Sequence, residues 1–244
     1  MRYAIIADMH ANLAAFTEVL DDIERRDGVD ELWCLGDVVG YGPDPHQCIE
    51  LLRQYKHVCI AGNHDLAAIG EIDTSGFNPY AAAACHWTTR QLDSGDVNYL
   101  ENLPLVIERD GFTLAHGSPR EPIWEYLLSV SSARESFAFF QSQFCLVAHT
   151  HVPLVFRYSE TGSCSLDPFS ANVCLFLGKD RLIINPGAVG QPRDGDPRAS
   201  YAIYDGEARM VRLYRVSYNI SATQNRMTEH NLPVNLAARL SYGQ

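Results

Sequence analysis

The chain has 244 residues, 46% apolar, 20% charged and 10% aromatic, which excludes disordered, collagen-like and coiled-coil classes and leaves enough apolar material for a sizeable core. Nineteen Lys and Arg stand against 30 Asp and Glu, a formal charge of −11, which repels a polyanionic duplex and argues against nucleic-acid binding. An α/β chain of this length builds one core, so a single domain over residues 1–244 is expected.

The first residues, Met1 to Ala7, run straight into Asp8 without the apolar region of a signal peptide, and no later apolar run approaches ~18 residues. A cytoplasmic protein without membrane contact is expected. The seven cysteines are an odd set without Cys-x-x-Cys, read as small buried hydrophobes rather than disulfide or thiolate-metal partners.

Taken in chain order, Tyr3 to Ala7 is a short β-prone run. Asn12 is the N-cap of a helix that places Leu13, Phe16, Leu20 and Ile23 on one face. The pattern repeats: Glu31 to Leu35 as strand, Asp44-Pro45 as cap and first helical residue, and Ile49 and Leu52 on the buried side. His57 to Ala61 is a third strand. Strands alternating with helices predict βαβ units with parallel pairing. Asn78-Pro79 opens a helix reaching about Leu92.

Beyond Leu103-Pro104 the chain becomes strand-rich. Short runs fall at Val106–Glu108, Thr113–Ala115, Cys145–Ala148, Val155–Tyr158, Val173–Leu177, Leu182–Ile184, Ser200–Tyr204 and Met210–Val216, with a helix around Ala133–Phe140. No linker or fixed-period repeat separates the halves, so two sheets sharing a core are expected. Ser221 to about Leu240 is helix-like and is expected on the sandwich edge or on a second subunit, leaving self-association open.

The polar residues that follow the apolar runs carry the chemistry. Asp8-x-His10, Gly36-Asp37 and Gly62-Asn63-His64-Asp65 close the first three runs; His116 and His149-Thr150-His151 close two later ones. Ligand crevices in α/β sheets lie beyond the carboxyl ends of strands, so these loops should converge. The set contains oxygen and imidazole donors without thiolate and exceeds the ~4 protein ligands of one tetrahedral site, implying two divalent transition-metal ions. Mn is expected first, with Fe, Zn, Co and Ni tolerated by the same ligands.

The order Asp-x-His, Gly-Asp, Gly-Asn-His-Asp, His, His-x-His over residues 8–151 resembles the calcineurin-like metallophosphoesterase superfamily. The runs Gly36 to Pro45, His116 to Arg120 and Asn185 to Arg193 are similar to its bacterial branch of diadenosine-tetraphosphatase-related or phosphodiesterase-like proteins. The resemblance implies a four-layer α/β/β/α sandwich of two mixed sheets flanked by helices. It also implies Asp8, His10, Asp37 and His151 on one metal and Asn63, His116 and His149 on the second, with Asp37 bridging.

On this resemblance the chain is expected to be a phosphoesterase that hydrolyses phosphodiester or nucleotide phosphoanhydride bonds by in-line attack of a metal-bridging hydroxide. A small phosphorylated substrate, such as a nucleotide, is the expected partner. His64 is the general acid at the leaving oxygen; otherwise it is a surface histidine at a helix start.

Arg120 and Arg193 are candidate phosphate clamps, the alternative being loop-locking ion pairs, for example to Asp194 or Asp196. Trp124, Tyr126 and Tyr41 would stack a base, shape the rim or simply pack. His46, His57, His86 and His230 are read as ordinary histidines without a second ligand nearby.

Phosphomonoesterase, Ser/Thr protein phosphatase and non-catalytic scaffold are the other readings. Protein phosphatases resemble Gly-Asp-x-x-Asp-Arg in the second motif, where this chain has Gly40-Tyr41. A scaffold has no use for an intact His64. Ala11 and Ala148, where the family often has Gly, are expected to need only a negative φ.

Overall fold

The computed structural model describes residues 1–244. Strand β1 (Arg2–Ile6) leads into helix α1 (Leu13–Arg25), then β2 (Glu31–Cys34), α2 (Pro45–Arg53), β3 (His57–Cys59), α3 (Asn63–Ala68), α4 (Pro79–Thr89) and α5 (Ser94–Glu101). The strand-rich part follows with β4 (Val106–Arg109), β5 (Phe112–Ala115), α6 (Val130–Ser136), β6 (Phe144–Leu146), β7 (Leu154–Tyr158), β8 (Cys164–Pro168), β9 (Cys174–Phe176), β10 (Arg181–Asn185), β11 (Ala199–Asp205) and β12 (Met210–Val216). The chain closes with α7 (Ile220–Glu229) and α8 (Val234–Arg239).

Two six-stranded sheets result, ordered β3-β2-β1-β11-β12-β9 and β4-β5-β6-β10-β7-β8. The β1–β2 and β2–β3 pairs are parallel, as the alternation of strand and helix predicts, and so are β5–β6 and β6–β10. The other pairs are antiparallel, so both sheets are mixed.

Successive side chains of a strand face opposite ways. Tyr3, Ile5 and Ala7 therefore join Trp33, Phe112, Phe144, Leu146 and Ile184 in the core between the sheets. Ala4 and Ile6 turn to the other face, where Phe16, Val19, Leu20, Ile49 and Leu52 of α1 and α2 cover them. The outer face of the second sheet, with Cys145, Phe156 and Ile183, is covered by Ala133, Phe137 and Phe140 in and after α6. These layers make the expected α/β/β/α sandwich. Trp33 is fully buried between the sheets, 4.3 Å from Tyr3 and 5.5 Å from Phe112 between ring centroids, where truncation to Ala costs ~3–5 kcal/mol.

Asn12 caps α1, accepting from the Ala15 amide at 3.2 Å. The segment from Ser221 packs on the edge of the sandwich: Met227, Leu232, Leu236 and Leu240 share a cluster with Tyr41, Ala81 and Ala84. No helix is long and apolar enough to cross a membrane.

Several expectations are corrected. The helix from Pro79 ends at Thr89, and a separate α5 follows because Asp93 and Asp96 form a capping box that restarts helical bonding. The later helix lies at Val130–Ser136, one turn before the expected position, where Ser129 caps it. β8 is an exposed edge strand without apolar alternation, so periodicity gives no sign of it. Ala11 has φ +51°, contrary to the negative φ expected, whereas Ala148 has none of this strain. The Ala11 backbone is held from both sides, its N–H donating to Val38 O at 2.9 Å and its carbonyl accepting from Asp44 N at 3.0 Å.

Candidate metal centre

The first three strands end one or two residues before the apolar runs do, because the chain leaves the ladder to build ligand loops. Asp8, His10, Asp37, His149 and His151 all have φ between +46° and +64°, a region that costs non-glycine residues ~1–3 kcal/mol and concentrates at functional sites. Gly62 is required: a Cβ there would lie 2.1 Å from Asp37 Oδ1.

The loops converge as expected. One group brings together Asp8, His10, Asp37 and His151 and another Asp37, His116 and His149, all buried, with ligand atoms within 4.8 Å of one another in each group. Asp37 belongs to both. Asn63 joins the second group through Oδ1, 3.2 Å from His116 Nε2.

Which ring nitrogen faces inward is fixed from outside. His10 Nδ1 donates to Val39 O at 3.1 Å, His116 Nδ1 to Leu35 O at 2.8 Å and His151 Nδ1 to Gln191 O at 2.6 Å. Each therefore presents its Nε2 lone pair inward, as metal-bound histidines do. His10 Nε2 and His151 Nε2 face each other at 3.1 Å. His116 Nε2 lies 3.2 Å from His149 Nδ1 and 3.4 Å from Asp37 Oδ2. Both Asp8 oxygens, Asp37 Oδ2 and His149 Nε2 are buried without a hydrogen-bond partner. A cage of acceptors turned on one another lacks a donor, and a cation supplies what it lacks. The residues fit divalent transition metals.

The same crowding shifts the titrations of these groups in both directions. Burial and Asp37 push the Asp8 carboxyl up to about 8. Burial holds His10 and His151 well below their usual value, and burial with His116 brings His149 down to about 3. Burial also acts on His116 and Asp37, but each is overruled by the other: His116 rises to about 9 and Asp37 falls well below the carboxylate range.

His64 begins α3 but is buried, in contrast to the surface alternative. It packs on Tyr41, Phe77 and His10 at 4.3, 4.7 and 4.9 Å between ring centroids. Its backbone N–H donates to Asp37 Oδ1 at 2.9 Å, and its Nδ1 has no partner. Burial, with Arg193 and His116 nearby, brings it down to about 4. Gly40, with φ +88°, makes room for it, since a Cβ there would meet His64 Nδ1 at 2.5 Å.

The two arginines differ. Arg120 is bound to Glu125 and Glu135, so its charge is neutralised within its own loop. Arg193 pairs with no carboxylate; its Nη2 donates to Gln191 Oε1 at 3.0 Å and to Tyr41 Oη at 3.4 Å, and its buried Nε has no partner. Asp194 and Asp196 are taken by Arg215 and Arg198. Tyr41 is buried, whereas Tyr126, stacked on His149 at 4.0 Å, and Trp124, edge-on to Phe77 at 5.5 Å, are exposed at the rim.

Two further residues escaped the sequence reading. Asp65, fully buried, accepts from the amides of Asp37 at 2.8 Å, Val39 at 3.1 Å and Gly62 at 3.0 Å, tying two ligand loops together; its place in Gly-Asn-His-Asp was the available signal. His46, read as unpaired, has Asp96 at 2.9 Å and Asp93 at 3.8 Å, because α5 brings that capping box alongside it. Five cysteines are buried and two half-buried, all free.

Comparison with known proteins matches residues 1–209 to the calcineurin-like phosphoesterase superfamily domain. An uncharacterized protein of Methanocaldococcus jannaschii is 36% identical over 99% of this chain and 98% of its own. A symmetrical bis(5'-nucleosyl)-tetraphosphatase of Actinobacillus pleuropneumoniae is 28% identical over 144 residues, 57% of this chain; the chain spans about half of that protein, 52%. The crystal structure of a metallophosphoesterase from Sphaerobacter thermophilus superposes with TM-score 0.91 at 46% identity, covering 100% of this chain and 99% of the other. The chain belongs to the calcineurin-like phosphoesterase superfamily and is a metallophosphoesterase, a hydrolase of phosphoric esters.

Proposed function

We propose that the chain holds two divalent transition-metal ions, Mn first among them, and cleaves phosphodiester or nucleotide-type phosphoanhydride bonds of a small substrate. The observation that carries this reading is Asp37, whose carboxylate belongs to two buried ligand groups at once. Asp8, His10 and His151 complete one group and Asn63, His116 and His149 the other. Such an ion pair, when bound, acidifies a water and neutralises charge on the phosphoryl group.

The protein's own residues do the rest. Asp65 holds the Asp37 and Gly62 backbones in register. His64, buried and held neutral, offers an N–H hydrogen bond to the leaving oxygen. Arg193, unneutralised, draws the phosphate oxygens in, while Arg120 with its two glutamates braces the loop that carries Trp124 and Tyr126 to the rim.

Tyr41 occupies the last place of the second motif and packs on His10 and His64, which disfavours the Ser/Thr protein phosphatase reading. The similarity to a dinucleoside tetraphosphatase favours nucleotide anhydrides. Free thiols suit a cytoplasmic setting.

The test compares hydrolysis of a bis-aryl phosphate, an aryl monophosphate and a dinucleoside tetraphosphate by the metal-stripped protein with added Mn²⁺. Metal-dependent cleavage of the first or third, reduced ~10²–10⁴-fold in His64→Ala with metal content unchanged, is expected. Faster cleavage of the monoester than of either other substrate would refute the diester and anhydride preference.

A further inference from the structure

The four histidines of the ligand groups are not held alike. His10, His116 and His151 each give their outer nitrogen, Nδ1, to a backbone carbonyl, those of Val39, Leu35 and Gln191. His149 is turned the other way. Its Nδ1 is the inward atom, 3.2 Å from His116 Nε2, and its outer Nε2 is buried without a hydrogen-bond partner. A hydrogen bond from the outer nitrogen is what fixes the ring of a metal-bound histidine, and losing it weakens the metal. His149 is without that hold, and its left-handed backbone, φ +64°, adds strain at the same residue.

A second ring takes the place of the carbonyl. Tyr126 lies on His149 with 26° between the planes and 4.0 Å between centroids, the shortest separation of any aromatic pair in the chain. Stacking of this kind restricts the tilt of both rings. Tyr126 is itself 52% exposed, so burial in a core does not account for where it stands.

Its own loop does. Just before it, Glu125 is bound by Arg120 and by Ser118 Oγ; just after it, Leu127 is fully buried with Ala133 and Phe137. The loop leaves directly from His116 and turns tightly at Gly117, where a Cβ would meet Glu121 O at 2.9 Å. A segment that begins at one histidine of the second ligand group thus returns to cover the other. The first group has no such dependence, because carbonyls hold both of its histidines.

We propose that Tyr126 is a positioning residue for the metal centre: its ring, in place of a hydrogen bond, keeps His149 directed at the second ion, so that this ion is the more weakly bound of the two and its occupancy depends on the ring. The inference rests on the two-ion reading above and gives the two ligand groups unequal hold on their ions.

The test is competitive chelator titration of Mn²⁺ into the metal-stripped full-length protein, for the wild type, Tyr126→Phe, Tyr126→Leu and Tyr126→Ala, with Asn63→Ala marking the step that belongs to the second group. The wild type should bind two ions, the Asn63-dependent one more weakly. Tyr126→Ala and Tyr126→Leu should weaken that ion about tenfold and leave the other within about twofold. Tyr126→Phe, which keeps the ring and loses only the hydroxyl, should hold both ions within about twofold of the wild type.

Both ions weakened alike, neither weakened, Tyr126→Phe as impaired as Tyr126→Ala, or an Asn63-dependent ion that is the tighter of the two would each overturn the role of the ring. If Tyr126→Ala fails to fold, Tyr126→Leu decides, since it keeps bulk without an aromatic face. A single ion in the wild type refutes the two-ion reading itself, whereas two ions indifferent to Tyr126 leave that reading standing and strike only the positioning role.

Discussion

Two regions of the molecule treat their polar groups in opposite ways. At the strand ends that carry Asp8, Asp37, His116, His149 and His151, carboxylate oxygens and ring nitrogens are buried and unpartnered. In the flanking segments, Arg120, Arg198, Arg215 and His46 each meet a carboxylate on the chain itself. Burying unsatisfied acceptors costs ~1–3 kcal/mol each, and several of these residues add left-handed backbone. A surface ion pair, by contrast, contributes ~0–1 kcal/mol. The first region is destabilised as it stands and is reserved for what binds there; the second only holds neighbouring segments in place.

This contrast is broken most severely at Asp37. Asp37→Ala should remove both metals and all metal-dependent turnover, by elemental analysis and assay, and chelation should then lower the Tm of the wild type but not of the variant. A variant retaining two metals would end the bridging assignment.

Asp65→Asn tests whether support beneath a ligand matters as much as the ligand. It should weaken metal affinity ~10–100-fold in a competitive chelator titration, and wild-type affinity would reduce Asp65 to a packing role.

The arginines sharpen the comparison directly. Arg193→Gln should raise KM for the cleaved substrate about tenfold with little change in stability. Arg120→Gln should leave KM within about twofold and lower the unfolding free energy by at most ~1 kcal/mol. The reverse result would exchange their roles.

The smallest effect belongs to His46, whose pKa is raised chiefly by its hydrogen bond to Asp96. A raised folded pKa gives stabilisation that is complete below the unfolded value of about 6.5 and lost as pH rises through the folded one. His46→Ala should therefore lower Tm at about pH 5.5 and leave it unchanged at about pH 9; a deficit equal at both would remove the charge from the explanation.

Much of this was legible residue by residue. Every metal-ligand candidate sits where an apolar β-prone run gives way to polar residues, so a local pattern locates it, and the parallel order of β1, β2 and β3 follows from strands spaced by amphipathic helices. The missed elements lacked such a pattern: β8 is a polar edge strand, and α5 depends on Asp93 and Asp96 restarting a helix where the expected one ends.

By itself the sequence determined the candidate ligand set, the alternation that builds the first sheet, and the superfamily, because these depend on residue type and spacing along the chain. The tertiary structure alone decided that Arg120 is neutralised while Arg193 is not, that Asp65 braces two ligand loops, and that Ala11 lies at positive φ. Charge and strain at a residue are set by whatever the fold brings beside it, and those neighbours come from distant parts of the chain.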